Sequence, residues 1–258
     1  MDVFFANADT KWSLDYEAQH LGFFDGWSGT KERVKLIGKN KIANVFRGSD
    51  DANILVMTDD ANGDALFVED IYTSFGKDAA RFSQIDEIRA GLGDDIVDMT
   101  SQRYAYVGSE ITIRGGAGND VIWAAGSDND LFGDAGNDSI VGSAGFDLIV
   151  GGAGNDRLHG GGGNDIFAFG KNWGVDTVTQ LSGGAITLWF ESGDMSNWNA
   201  DTLTYTDGAN SVMVSGTTDV TLKFGNAGDQ YGDLLDIGAF ESAASEKIFE
   251  DKNNGMLA

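Results

Sequence analysis

Residues 115–168 divide without gaps into six nonapeptides: GGAGNDVIW (115–123), AAGSDNDLF (124–132), GDAGNDSIV (133–141), GSAGFDLIV (142–150), GGAGNDRLH (151–159) and GGGGNDIFA (160–168). Position 6 is Asp120, Asn129, Asp138, Asp147, Asp156 and Asp165; position 8 is Ile122, Leu131, Ile140, Ile149, Leu158 and Phe167. Glycine holds position 4 in five of the six. Glycines let the first six residues turn sharply, and the last three alternate sides as a strand does. Position 8 is then expected inside, with positions 7 and 9 outside. A flexible Gly/Asn/Asp linker has no reason to keep an apolar residue at position 8 of every unit.

Two such units make one 18-residue coil of two strands and two turns, so units two apart stack. Asp120, Asp138 and Asp156 fall on one flank; Asn129, Asp147 and Asp165 fall on the other. Carboxylates stacked at the strand spacing of about 4.8 Å repel one another if bare. A hard cation taking six to eight oxygens relieves that conflict, drawing on carboxylates and turn carbonyls, and Ca²⁺ accepts such irregular geometry better than Mg²⁺. Several structural Ca²⁺ ions are the expected cofactors.

The unit GGxGxDxUx resembles the hemolysin-type calcium-binding repeat of the RTX (repeats-in-toxin) family. The resemblance implies a parallel β-roll with ions between stacked turns. Each ion would take the carbonyls of positions 2 and 4 from one turn, those of positions 1 and 3 from the other, and both position-6 aspartates. Carried onto this chain, one site uses Gly116, Gly118 and Asp120 with Gly133, Ala135 and Asp138. The next uses Asp134, Gly136 and Asp138 with Gly151, Ala153 and Asp156. On the other flank, Ser143, Gly145 and Asp147 pair with Gly160, Gly162 and Asp165. The second unit departs from the pattern at Ala124, Ala125, Ser127 and Asn129, which weakens any site there.

The phase extends upstream. Residues 81–89 place Asp86 and Ile88, and residues 90–98 place Asp95 and Val97, at positions 6 and 8; Asp95 is a further ligand candidate. After an insert at 99–105, residues 106–114 put Ile113 at position 8. Residues 1–80 are expected to form a β-rich extension or cap, 81–170 the roll, and 171–258 a C-terminal β cap with a helical tail at 229–251. The fold class is therefore all-β, a parallel β-solenoid with flanking β segments and a short C-terminal helical region. Thr58–Glu69 nearly fits an EF-hand loop, but position 1 is Thr58 and its flanks read as strands.

The chain carries 41 acidic and 17 basic residues, a net charge of −24. Such a surface disfavours nucleic acid and anionic membranes as partners and repels itself unless cations bind. Cysteine is absent, so disulfides and thiolate metal sites are excluded, and no apolar run is long enough to span a bilayer. Met1–Phe5 lacks the features of a cleaved signal peptide. An uncleaved C-terminal signal for a type I exporter, and a secreted or cell-surface location in a bacterium, are what the resemblance implies.

No GxSxG or HExxH motif occurs, and the two histidines, His20 and His159, lie far apart, so no enzyme activity is expected. His159 reads as solvated surface. Trp189, Trp198 and Tyr205 read as core aromatics of the β cap rather than as a sugar platform. The outward positions Val121, Trp123, Ser139, Val141, Arg157 and His159 form a mixed face. Asp130, Phe132, Leu148, Val150, Ile166 and Ala168 form a largely apolar one, which a flanking segment or another copy should cover. Calcium binding by an extracellular module that folds on Ca²⁺ is the expected function. An adhesin or glycan-binding module, and a secreted enzyme with its site in residues 1–80, are the alternatives.

Overall fold

The structure is a computed structural model that describes residues 53–57, 61–68, 82–100, 110–126, 128–180 and 183–225, with six short strands between residues 2 and 47. The expected helical tail at 229–251, residues 101–105 of the insert, His20, Ser127 and the ends of the EF-hand-like loop lie outside the described residues. Among the described residues there is no α-helix; Met195–Asn197 makes one 3₁₀ turn.

Two stacked sheets form the roll. The first has nine strands, all paired in parallel: Asp2–Phe5, Asn53–Val56, Glu87–Leu92, Ile111–Ala117, Asn129–Ala135, Asp147–Val150, Asp165–Phe169, Ile186–Phe190 and Val220–Phe224. The second runs parallel through Asn40–Ile42, Asp64–Phe67, Ile96–Asp98, Val121–Trp123, Ser139–Val141, Arg157–His159, Val175–Thr179 and Asn210–Ser215. From Glu87 to Phe190 the chain alternates between the two sheets strand by strand, which is the coil that the repeat spacing requires. The fold is a parallel β-roll.

Position 8 supplies the core. In the second sheet Leu66, Val97, Ile122, Ile140, Leu158, Val178 and Val214 stack in register. In the first, Leu55, Ile88, Ile113, Leu131, Ile149, Phe167 and Leu188 do the same. All of these side chains are buried. Each column is continuous because the side-chain period of a strand is two and the register never slips.

Both ladders cross the boundaries expected at 80/81 and 170/171. Leu55 pairs with Ile88, and Phe167 pairs with Leu188. Of the strands expected to form a separate C-terminal cap, Ile186–Phe190 and Val220–Phe224 instead continue the first sheet in parallel. Length, rather than composition, hid this: the intervening segments depart from 18 residues while the strand ends still meet. At this end Trp198–Asn199 and Thr204–Asp207 reverse direction, adding two antiparallel strands beyond Asn210–Ser215. They turn the end of the second sheet into short strands, a common protection against edge pairing. Aromatic rings fill the interior there: Phe190 stacks on Tyr205 with centroids 3.8 Å apart, and Phe169, Trp173 and Phe224 surround them.

Phe132, Leu148, Val150, Ile166 and Ala168, the apolar outward face, are buried within the single chain and cluster with Trp189. The Arg114 guanidinium lies 4.0 Å from the Phe132 ring centroid, and Lys223 lies 5.0 Å from that of Trp189.

Candidate metal corners

The turns of the second-sheet flank need backbone that side chains resist. Positions 2 and 4 take positive φ at Gly116 (102°) and Gly118 (137°), and again at Asp134 (69°) and Gly136 (143°). A Cβ on Gly118 or Gly136 would collide with the carbonyl of Gly93 or Gly118 one coil earlier. Glycine therefore lets successive turns nest, and nesting brings the position-6 side chains together.

Asp95, Asp120, Asp138 and Asp156 form a buried ladder on this flank. Each carboxylate accepts, through Oδ1, the backbone N–H of the aspartate one coil earlier. Asp95 N donates to Asp120 at 2.7 Å, Asp120 N to Asp138 at 2.7 Å, and Asp138 N to Asp156 at 2.9 Å. The other oxygen behaves differently. Oδ2 of Asp138 and of Asp156 is buried with no hydrogen-bond partner. Each lies where a Cβ on the position-1 glycine, Gly133 or Gly151, would fall. A carboxylate oxygen left without a donor in such a place is costly. Burial pushes the Asp138 carboxyl up to about 9, and the neighbouring Asp120, Asp156 and Asp134 charges push the same way. Burial raises Asp156 to about 6.

These are the conditions a cation would relieve, and the residues present fit Ca²⁺. The three stacks named from the repeat are assembled. Gly118 N donates to Ala135 O (2.9 Å), Gly136 N to Ala153 O (2.9 Å) and Ala153 N to Asp134 O (2.8 Å). Gly116 pairs in register with Asp134, and the carbonyls of Gly133 and Gly151 lie 2.8 and 2.5 Å from where Cβ atoms on Gly115 and Gly133 would sit. On the other flank Gly162 N donates to Ser143 O (2.7 Å) and Asp147 N to Asp165 Oδ1 (3.0 Å), while Gly145 O and Gly160 O face Gly163 and Gly142. Among the described residues no three His, Cys, Asp or Glu side chains gather into a metal cluster.

The first-sheet flank is different. Asn129 Nδ2 donates to Asp147 Oδ1 (2.7 Å), Ser143 N to Asp147 Oδ2 (2.6 Å), and Gln180 Nε2 to Asp165 Oδ2 (2.9 Å). Burial raises Asp147 to about 6 and Asp165 to about 7, with these donors pulling the other way.

Several residues escaped the sequence reading. Asp176 extends the buried ladder, accepting from Asp156 N at 2.9 Å, and its Oδ2 is another buried oxygen without a partner. Burial pushes Asp176 up to about 8. Its spacing from Asp156 is 20 residues instead of 18, which hid it from a nine-residue count. The pattern Gly174, Asp176, Val178 at positions 4, 6 and 8 was the available signal. Asn172 (φ 56°) and Gly174 (φ 89°) repeat the positive φ of positions 2 and 4. Asp64, upstream, donates its N–H to Asp95 and is equally buried. Position 5 carries an exposed ladder of opposite sense: Asn137 N donates to Asn119 Oδ1, Asn155 N to Asn137 Oδ1, and Val175 N to Asn155 Oδ1, each at 2.9 Å.

His159 is not solvated surface, as its outward position suggested, but 1 % exposed. The following turn folds back over the ring, with Gly161 N donating to Nδ1 at 2.8 Å, and burial lowers its pKa to about 4. Tyr205 is fully buried, Trp189 lies in the outer cluster, and Trp198 packs against the core.

No curated protein matches the chain. Residues 112–140 and 132–167 match the family model of the RTX calcium-binding nonapeptide repeat, in four copies. Asp120, Asp138 and Asp156 of the buried acid ladder lie in this stretch, and residues 112–167 are RTX calcium-binding repeats.

Proposed function

We propose that this chain is a non-catalytic extracellular module whose roll closes on binding several Ca²⁺ ions, exported in the unfolded state by a type I system. The observation that carries the reading is the set of buried Oδ2 atoms on Asp138, Asp156 and Asp176 that no donor satisfies. Bound Ca²⁺ supplies positive charge and oxygen coordination at those corners. The chain does the rest. Position-1 glycines keep the space beside each Oδ2 open, Oδ1 locks the turn to its neighbour, and position 8 fills the core between corners.

Without cations, a net charge of −24 and a column of buried carboxylates both oppose the compact state. Binding free energy then becomes folding free energy. Extracellular calcium modules commonly work near 10⁻⁴–10⁻³ M, about the level that separates outside from cytosol. The non-catalytic reading is supported by the aspartates of the repeats being engaged in the ladders and by the burial of His159. Limited proteolysis tests the proposal: protection of the region 53–225 in millimolar Ca²⁺ and rapid cleavage in chelator are expected. Equal protection in both would overturn it.

A further inference from the structure

We infer that the side-chain amide of Gln180 stands in for a cation at the last level of the first-sheet corner. The inference rests on the calcium reading above and says where on that corner metal is not used. Gln180 is fully buried. Its Nε2 lies 2.9 Å from Asp165 Oδ2, 3.4 Å from Gly163 O and 3.4 Å from Gly183 O. One carboxylate and two carbonyls, drawn from two successive turns, thus converge on a single nitrogen. Asp165 Oδ2 sits beside the position-1 glycine Gly160 just as Asp138 and Asp156 Oδ2 sit beside Gly133 and Gly151. Those two oxygens have no donor, whereas that of Asp165 has one.

Charge explains the substitution. The register partner of Asp165 in the next coil is Ile186, so this level holds one carboxylate instead of two. A primary amide offers two N–H donors and no net charge. It can satisfy one carboxylate and neighbouring carbonyls, but it cannot neutralise a facing pair. The other end of the corner follows the same rule. Asn129 Nδ2 donates to Asp147 Oδ1 at 2.7 Å and to Ser143 Oγ at 3.2 Å, and the residue in register before Asn129 is Ile111. Amides therefore bracket the Asp147–Asp165 pair and give each carboxylate a donor from within the chain, while Gln180 Oε1 stays buried beside Gly160 with no donor of its own.

Gln180→Met removes the donor and keeps the length; Gln180→Glu supplies a second carboxylate to the level. Calcium stoichiometry by equilibrium dialysis and hydrogen exchange of backbone amides 183–190 in saturating Ca²⁺ read out both variants. Gln180→Met is expected to bind as many ions as the parent while those amides exchange roughly tenfold faster, the loss of about one buried hydrogen bond. Gln180→Glu is expected to bind one ion more. Gln180→Met binding one ion fewer would make Gln180 a ligand and overturn the inference, as would unchanged exchange in Gln180→Met. An unchanged ion count in folded Gln180→Glu would also overturn it. If Gln180→Glu does not fold, Gln180→Met decides alone. A parent chain that binds no Ca²⁺ contradicts the proposed function instead, and the exchange comparison still judges the amide.

Discussion

The two corners of the roll share one backbone geometry and differ in what satisfies their acids. Along the second-sheet corner, position 6 is Asp in six successive coils: Asp64, Asp95, Asp120, Asp138, Asp156 and Asp176. Along the first-sheet corner the run is Asn53, Asp86, Ile111, Asn129, Asp147, Asp165 and Ile186. The interrupted corner finds its donors inside the protein, in Asn129, Ser143 and Gln180. The continuous corner has no internal donors for the Oδ2 atoms of Asp138, Asp156 and Asp176. On the proposed function, a continuous acid run makes a corner depend on external cations, and interruptions by Asn or Ile make it partly self-sufficient.

The largest effect expected from this contrast is at Asp138, which takes part in two adjacent levels. Asp138→Ala should shift the Ca²⁺ midpoint by more than the roughly 10–100-fold typical of losing an outer-shell partner. Asp156→Ala should follow closely, and Asn129→Ala should stay within about tenfold. Calcium titrations of the three variants, followed by far-UV circular dichroism, give the ranking; equal shifts would erase the distinction between corners.

Acidity gives the next handle. In the metal-free roll the Asp138 and Asp176 carboxyls stand at about 9 and about 8, against an ordinary value of 3.8, chiefly through burial. The folded state therefore holds protons that the unfolded chain releases, so their contribution to stability is full below about pH 4 and is lost as pH rises toward 8 or 9. Chelated protein should lose β signal between pH 5 and 8, and calcium should restore it with proton release. Asp138→Asn, lacking that titrating group, should flatten the dependence; an unchanged profile would remove Asp138 from the cause.

Core truncation should not distinguish the corners. Ile140→Ala and Ile149→Ala remove equivalent, fully buried position-8 side chains from the two sheets, and each should cost about 2–5 kcal/mol in calcium-loaded protein. Denaturant melts with a clear disparity would show that the sheets are not packed alike. The smallest effect belongs to the exposed amide ladder: Asn137→Ala should cost about 1 kcal/mol, with little change in calcium midpoint.

Position 8 was legible in the sequence because an apolar residue at a fixed spacing needs no partner to reveal its side. The position-6 acids of 115–168 were legible for the same reason of spacing. Asp64 and Asp176 were not, because their separations of 31 and 20 residues from the neighbouring aspartate of the ladder break the period. His159 misled because alternation says which way a side chain points, not whether the next turn returns to cover it. The role of Gln180 depends on a contact across 15 residues with Asp165, which no local pattern encodes.

On the proposed function, divalent ions, not the chain alone, settle the carboxylates of the continuous corner. Far-UV circular dichroism of chelator-stripped protein, titrated with Ca²⁺ and separately with Mg²⁺ at neutral pH, tests it most directly. A cooperative gain of β signal with Ca²⁺ and none with Mg²⁺ is expected; a full β spectrum before any calcium is added would contradict it.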